Sequence, residues 1–195
     1  MKWITQIATA LLATTALAAP APPKQPGETT FYNLRISSRV NKNIDGKLLS
    51  VHQNQVGVHP GSPAVRFFPV DVSDGTEANV KYQLHTHPIG IVESVLGLVG
   101  TDGLGTLTQI SDPYSIDVPD GTRVDWSSWD MVEGIRDAGG EPAGTSYLEY
   151  LGSPGGRWIA FPSGEKDSWV VTWDDGTGVL PQHYMPINVT YEQVE

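Results

Sequence analysis

Apolar and polar residues alternate in short runs along most of the chain, the two-residue period of strands that lay one face on a core. Tyr32-Asn33-Leu34-Arg35-Ile36 shows it most plainly; Asn79 to His85, Ile187 to Val194 and, more loosely, Trp169 to Trp173 repeat it. Between the runs stand Asp45-Gly46, Pro60-Gly61, Asp74-Gly75, Asp102-Gly103, Asp120-Gly121, Gly139-Gly140, Pro154-Gly155-Gly156 and Asp175-Gly176. Such pairs supply the positive φ of tight turns, so the pattern predicts many short strands and an all-β domain. One short helix is predicted over Trp129 to Ala138, where Asp130, Met131, Val132, Ile135 and Arg136 run up to Gly139-Gly140.

A weak recurrence groups the strands in three. The first unit opens at Tyr32 and closes on Val65-Arg66-Phe67-Phe68; the second opens at Tyr82-Gln83-Leu84 and closes near Val124-Asp125-Trp126; the third opens at Tyr147-Leu148 and closes on Trp169-Val170-Val171. With a strand pair in each, the units predict a β-trefoil with pseudo-threefold recurrence. Gly46-Lys47-Leu48-Leu49, followed later by Phe67, resembles the Gly-x-x-Leu and Phe step of trefoil lectin and fascin-type repeats. The tyrosines are unequally spaced and no Gln-x-Trp triplet occurs, so a β-sandwich or small barrel stays open beside the trefoil.

The first residues follow a different pattern. Lys2 is followed by an uncharged stretch from Trp3 to Leu17, whose end overlaps the small-residue triplet Ala16-Leu17-Ala18, the order of a secretory signal with an A-x-A cleavage site. Residues 1–18 are therefore expected to be removed on export. The run is too short and too rich in threonine for a membrane span, and no partnership with a membrane is expected once it is gone. Residues 19–30, APAPPKQPGETT, read as an extended spacer, which leaves residues 31–195 as one β domain.

Composition narrows the chemistry. The chain has no cysteine, which excludes disulfide frameworks, thiol nucleophiles and cysteine zinc sites, and leaves an exported domain to stand on packing alone. Its formal charge of −10 argues against nucleic acid as a partner. No G-x-S-x-G, P-loop, dinucleotide or H-E-x-x-H pattern is present. Acidic neighbours such as Asp174-Asp175, or Glu133 and Asp137, fit turns and solvated faces, since sequence adjacency does not set the carboxylate separation that glycoside hydrolysis needs. Asn188-Val189-Thr190 is a glycosylation sequon, with Asn188 as the acceptor.

Two constellations remain. Trp126 and Trp129, on one side of a turn or short helix with Asp125 and Asp130 beside them, suit sugar: rings stack on pyranose faces while carboxylates accept from hydroxyls. The same tryptophans, with Trp158, Trp169 and Trp173, also suit the core of a domain without disulfides. His85 and His87 share a face if they lie on a strand, and with Glu93 they could meet a divalent metal. His85-Thr86-His87, Glu93 and Gly100 resemble the first metal motif of cupins, and Pro119-Asp120-Gly121 resembles part of the second, although Val124 stands where the third histidine ligand belongs.

The signal, the Pro-rich spacer, the turn ending in Asp45-Gly46 and the terminal Trp169-x-Val171-x-Trp173-Asp174-Asp175-Gly176 together resemble, in layout, the small secreted and cell-wall-associated proteins of filamentous fungi. The resemblance implies an extracellular or wall location and assigns no functional residue. The leading expectation is a non-enzymatic secreted protein that associates with the wall or binds its polysaccharide and needs no cofactor. The alternatives are a cupin-like metalloprotein using His85, His87 and Glu93, and a secreted effector or antigen that acts through protein contacts.

Overall fold

The computed structural model describes residues 29–75, 79–86, 94–134 and 144–194. Residues 1–18 and nearly all of the spacer lie outside them. The described residues hold fourteen strands and no helix: β1 (Tyr32–Ser37), β2 (Ser50–His52), β3 (Gln55–Val58), β4 (Arg66–Asp71), β5 (Tyr82–Thr86), β6 (Ser94–Gly100), β7 (Leu104–Ser111), β8 (Arg123–Asp125), β9 (Trp129–Val132), β10 (Tyr147–Tyr150), β11 (Arg157–Pro162), β12 (Trp169–Asp174), β13 (Met185–Pro186) and β14 (Asn188–Gln193).

Six of them close a barrel. β1 pairs with β4, β4 with β5, β5 with β9, β9 with β10, β10 with β14 and β14 with β1, every pair antiparallel. Closure leaves the ring without a free edge. The hairpins β2–β3, β6–β7 and β11–β12 cap it, and their second strands β3, β7 and β12 pair with one another in a triangle. Three units of strand, hairpin and strand around one axis are the β-trefoil arrangement. β8 and β13 add short outer strands to β6 and β11.

The threefold repeat reaches single residues. Leu34, Leu84 and Leu148 sit in the first strands of the units, with Leu49, Leu96 and Trp158 at the entry to the hairpins. Val56, Leu107 and Val171 sit in the hairpins' second strands, and Phe67, Trp129 and Val189 in the last barrel strands. None of the twelve is more than 5% exposed. The ladders confirm the equivalence: Phe67 faces Thr86, Trp129 faces Tyr150 and Val189 faces Ile36. Each large apolar side chain buried in this way contributes about 1.5–3 kcal/mol, the packing that a chain without cysteine requires.

Two expectations are corrected. Residues Trp129–Val132 form a strand, not the start of a helix: Trp129 is buried and Met131 packs on the core, so the two-residue period prevails once β10 and β5 supply ladder partners. The rest of the predicted helix, from residue 135, lies outside the described residues. The second and third units also close later than expected, on β9 and β14, because each unit has four main strands, not two. Val124-Asp125 belongs to the outer strand β8, and Trp169 to Val171 to the capping hairpin.

One glycine is indispensable to the cap. A Cβ on Gly57 would lie 2.0 Å from the Trp169 carbonyl oxygen, so only glycine lets β3 approach β12.

Candidate functional site

At the first unit, two loops and the start of β12 line an open groove of about 1000 Å³. The β1–β2 loop forms one wall. Its turn is held by the Ser38 amide donating to Asp45 Oδ1 at 2.9 Å and the Asn43 amide donating to Asn41 Oδ1 at 2.9 Å, and it ends on Gly46 with φ 72°. The Ser38 amide, then Lys42, holds the Asp45 carboxyl below its ordinary pKa. The β3–β4 loop forms the second wall, fastened where the His59 amide donates to Ser50 Oγ at 3.1 Å. The third wall is the start of β12, where half-buried Trp169 lies beside Asp167.

The charges around this groove largely cancel. Lys42 Nζ lies 3.2 Å from Asp45 Oδ2, and Arg35 lies 2.6 Å from Glu192 and also donates to the Gly46 carbonyl. Lys47 and Asp167 both line it. Donors at Lys42, Asn43 and Lys47, an acceptor at Asp167, a hydroxyl at Ser62 and an indole at Trp169 match a neutral, hydroxyl-rich ligand with apolar ring faces. His59, which also lines the groove, is 6% exposed, and neither ring nitrogen has a hydrogen-bond partner. Burial, then the neighbouring His52, lowers its pKa, while Glu165 and the Gln55 backbone act the other way.

The residues singled out from sequence are dispersed. Trp129 is wholly buried, stacked on Trp158 at 6.1 Å, and its Nε1 donates to the Leu96 carbonyl at 3.0 Å; it belongs to the core. Trp126 lies in the bend before it, half-buried, edge-to-face with Tyr114 at 6.1 Å. The two rings therefore do not share a face. Asp125 accepts from the Ser127 amide, from Ser128 Oγ at 2.7 Å and from Tyr150 Oη at 2.9 Å. Desolvation, reinforced by this carboxylate, pushes the Tyr150 phenol well above its usual pKa. Asp130 belongs to the barrel strand β9, where burial raises its pKa, and it accompanies Tyr82 instead of Asp125.

His85 lies on β5 with its ring stacked on Phe68 at 5.4 Å and its Nε2 3.2 Å from Gln83 Oε1. His87 and Glu93 lie outside the described residues, and among the described residues no three histidine, aspartate or glutamate side chains are placed to hold a metal. The fold is also not the jelly roll of a cupin. Asn188 is exposed at the head of β14.

No family model matches the chain, and no curated protein or solved structure is significantly similar to it. The site therefore rests on geometry alone. Sequence reasoning missed Asn43, Lys47, Ser62 and Trp169 as groove residues. Asn43 and Ser62 stand beside the turn signals Asp45-Gly46 and Pro60-Gly61, and Lys47 falls within the Gly46-Lys47-Leu48-Leu49 step. Trp169 read as core by its spacing to Trp173, and it does pack, partly buried, against the core; as the first residue of its strand it also lines the groove.

Proposed function

We propose that the chain is a secreted, wall-associated protein that binds extracellular carbohydrate without transforming it, and that the groove beside Trp169 is the binding site. The observation that carries this reading is an indole on the wall of a groove whose size, about 1000 Å³, is at the upper end for ligand sites, and whose rim offers donors and acceptors with little net charge. Among the described residues, two of the groove's three cations, Arg35 and Lys42, are already paired with Glu192 and Asp45, so a polyanion would compete with those carboxylates. A neutral glycan finds a ring to stack on and partners for its hydroxyls.

The test is retention on insoluble β-glucan and chitin. The double variant Asn43→Ala/Lys47→Ala alters only exposed rim positions, so it should fold normally and lose retention. Unchanged retention would remove the groove from the account, and absence of retention in the unaltered protein would remove the carbohydrate reading.

A further inference from the structure

We infer that the edge-to-face pair Tyr114–Trp126 is a second carbohydrate contact, set at the groove's pseudo-threefold position, so that one chain holds polysaccharide at two points. The inference rests on the carbohydrate reading of the groove and adds a site to it.

The equivalence comes from backbone and register. The residues leaving β3, β7 and β12 turn alike: Gly61, Asp112 and Gly176 all have positive φ, at 87°, 50° and 85°. Aspartate tolerates that conformation better than most residues. In the first unit, the chain beyond this turn supplies Ser62 and Ala64 to the groove. In the second it supplies Tyr114 and Trp126. Ala64 bridges to Ser50 on the first unit's hairpin, while Trp126 Cβ lies 3.2 Å from where a Cβ on Gly97 would stand. Ser50 and Gly97 are themselves equivalent, facing Gly57 and Thr108 in their hairpins. Trp126 thus takes the place of Ala64, and the missing side chain of Gly97 makes room for it.

The pair does little for the fold. Tyr114 is 76% exposed, and its ring is held on Trp126 at 86° outside the apolar core. Two rings fixed at right angles on the surface offer a stacking face to a pyranose. At the third equivalent position Thr177 Oγ1 donates to Asp175 Oδ1 at 2.6 Å, and the groove that Thr177, Gly178 and Val179 line there carries no aromatic ring among its described residues. Two contacts on a repeating polymer act by effective concentration, each holding the ligand near the other.

Calorimetry with laminarihexaose and chitohexaose, and light scattering with long soluble β-1,3-glucan, test the inference. The unaltered protein should bind about two oligosaccharides per chain and aggregate the long glucan; Tyr114→Ala should bind about one, stop aggregating it, and hold it about a hundredfold more weakly, with an unchanged melting temperature. Asn43→Ala/Lys47→Ala should also bind about one, leaving the Tyr114 contact alone. Single-site binding by the unaltered protein, or unchanged stoichiometry in Tyr114→Ala, overturns the second contact and leaves the groove standing. If neither oligosaccharide binds, the carbohydrate reading fails and the second contact with it.

Discussion

Trp129 stands in the second unit where Phe67 stands in the first: both are wholly buried, and each faces the last residue of a neighbouring barrel strand, Tyr150 or Thr86. The equivalence assigns Trp129 to packing. Trp129→Ala should destabilise by about 3–5 kcal/mol in chemical denaturation, whereas Trp129→Phe, which restores the ring of the first unit, should cost less than half as much. Equal losses would show that the indole's bond to Leu96, not ring volume, holds the position.

Gly57 and Trp169 meet backbone to backbone in the capping triangle. Gly57→Ala would force a Cβ into the Trp169 carbonyl, so β3 and β12 must separate. The expected result is a loss of more than about 2 kcal/mol, comparable with overpacking elsewhere, together with a distorted groove. A Gly57→Ala protein of unaltered stability would contradict the close approach.

The recurrence of strands, the three opening tyrosines and the all-β class were legible in the sequence because a strand buried on one face must alternate. Tyr32, Tyr82 and Tyr147 do stand in the first barrel strands. The closing strands were not legible: β9 looks helical until β10 pairs with it, and β14 is separated from β12 by a long connection. The groove was hidden for a related reason. Its walls come from the β1–β2 loop, the β3–β4 loop and Trp169, and only the triangle of hairpins brings Trp169 beside Val58.

His59 predicts a specific dependence on pH. Its folded-state pKa lies below the ordinary 6.5, so between about pH 6.5 and the lowered value the unfolded chain binds more protons. Stability should then fall on acidification below about pH 6.5 and level off once the folded protein also protonates. The lowered carboxyls of Asp45, Asp71, Asp175 and Glu192 act in a separate window, losing their contribution below about pH 4. Melting temperatures of His59→Gln should lack the upper step and keep the lower one; an upper step of the same size would exonerate His59.

Tyr150 and half-buried Asp125 form a hydrogen-bonded pair that ties β10 to β8. Tyr150→Phe should lower stability by about 1–3 kcal/mol, the worth of a hydrogen bond to a carboxylate, and leave binding of oligosaccharide at the groove unchanged. Weakened binding without loss of stability would return Asp125 to the list of ligand-contacting residues.

The most direct measurement is a titration of ¹⁵N-labelled protein with laminarihexaose or chitohexaose, read at the indole N–H resonances. The account predicts that Trp169 shifts progressively and saturably, while Trp129 and Trp158, whose N–H groups are bonded to the Leu96 and Leu148 carbonyls, stay in place. A Trp169 resonance that does not move with either sugar would contradict it.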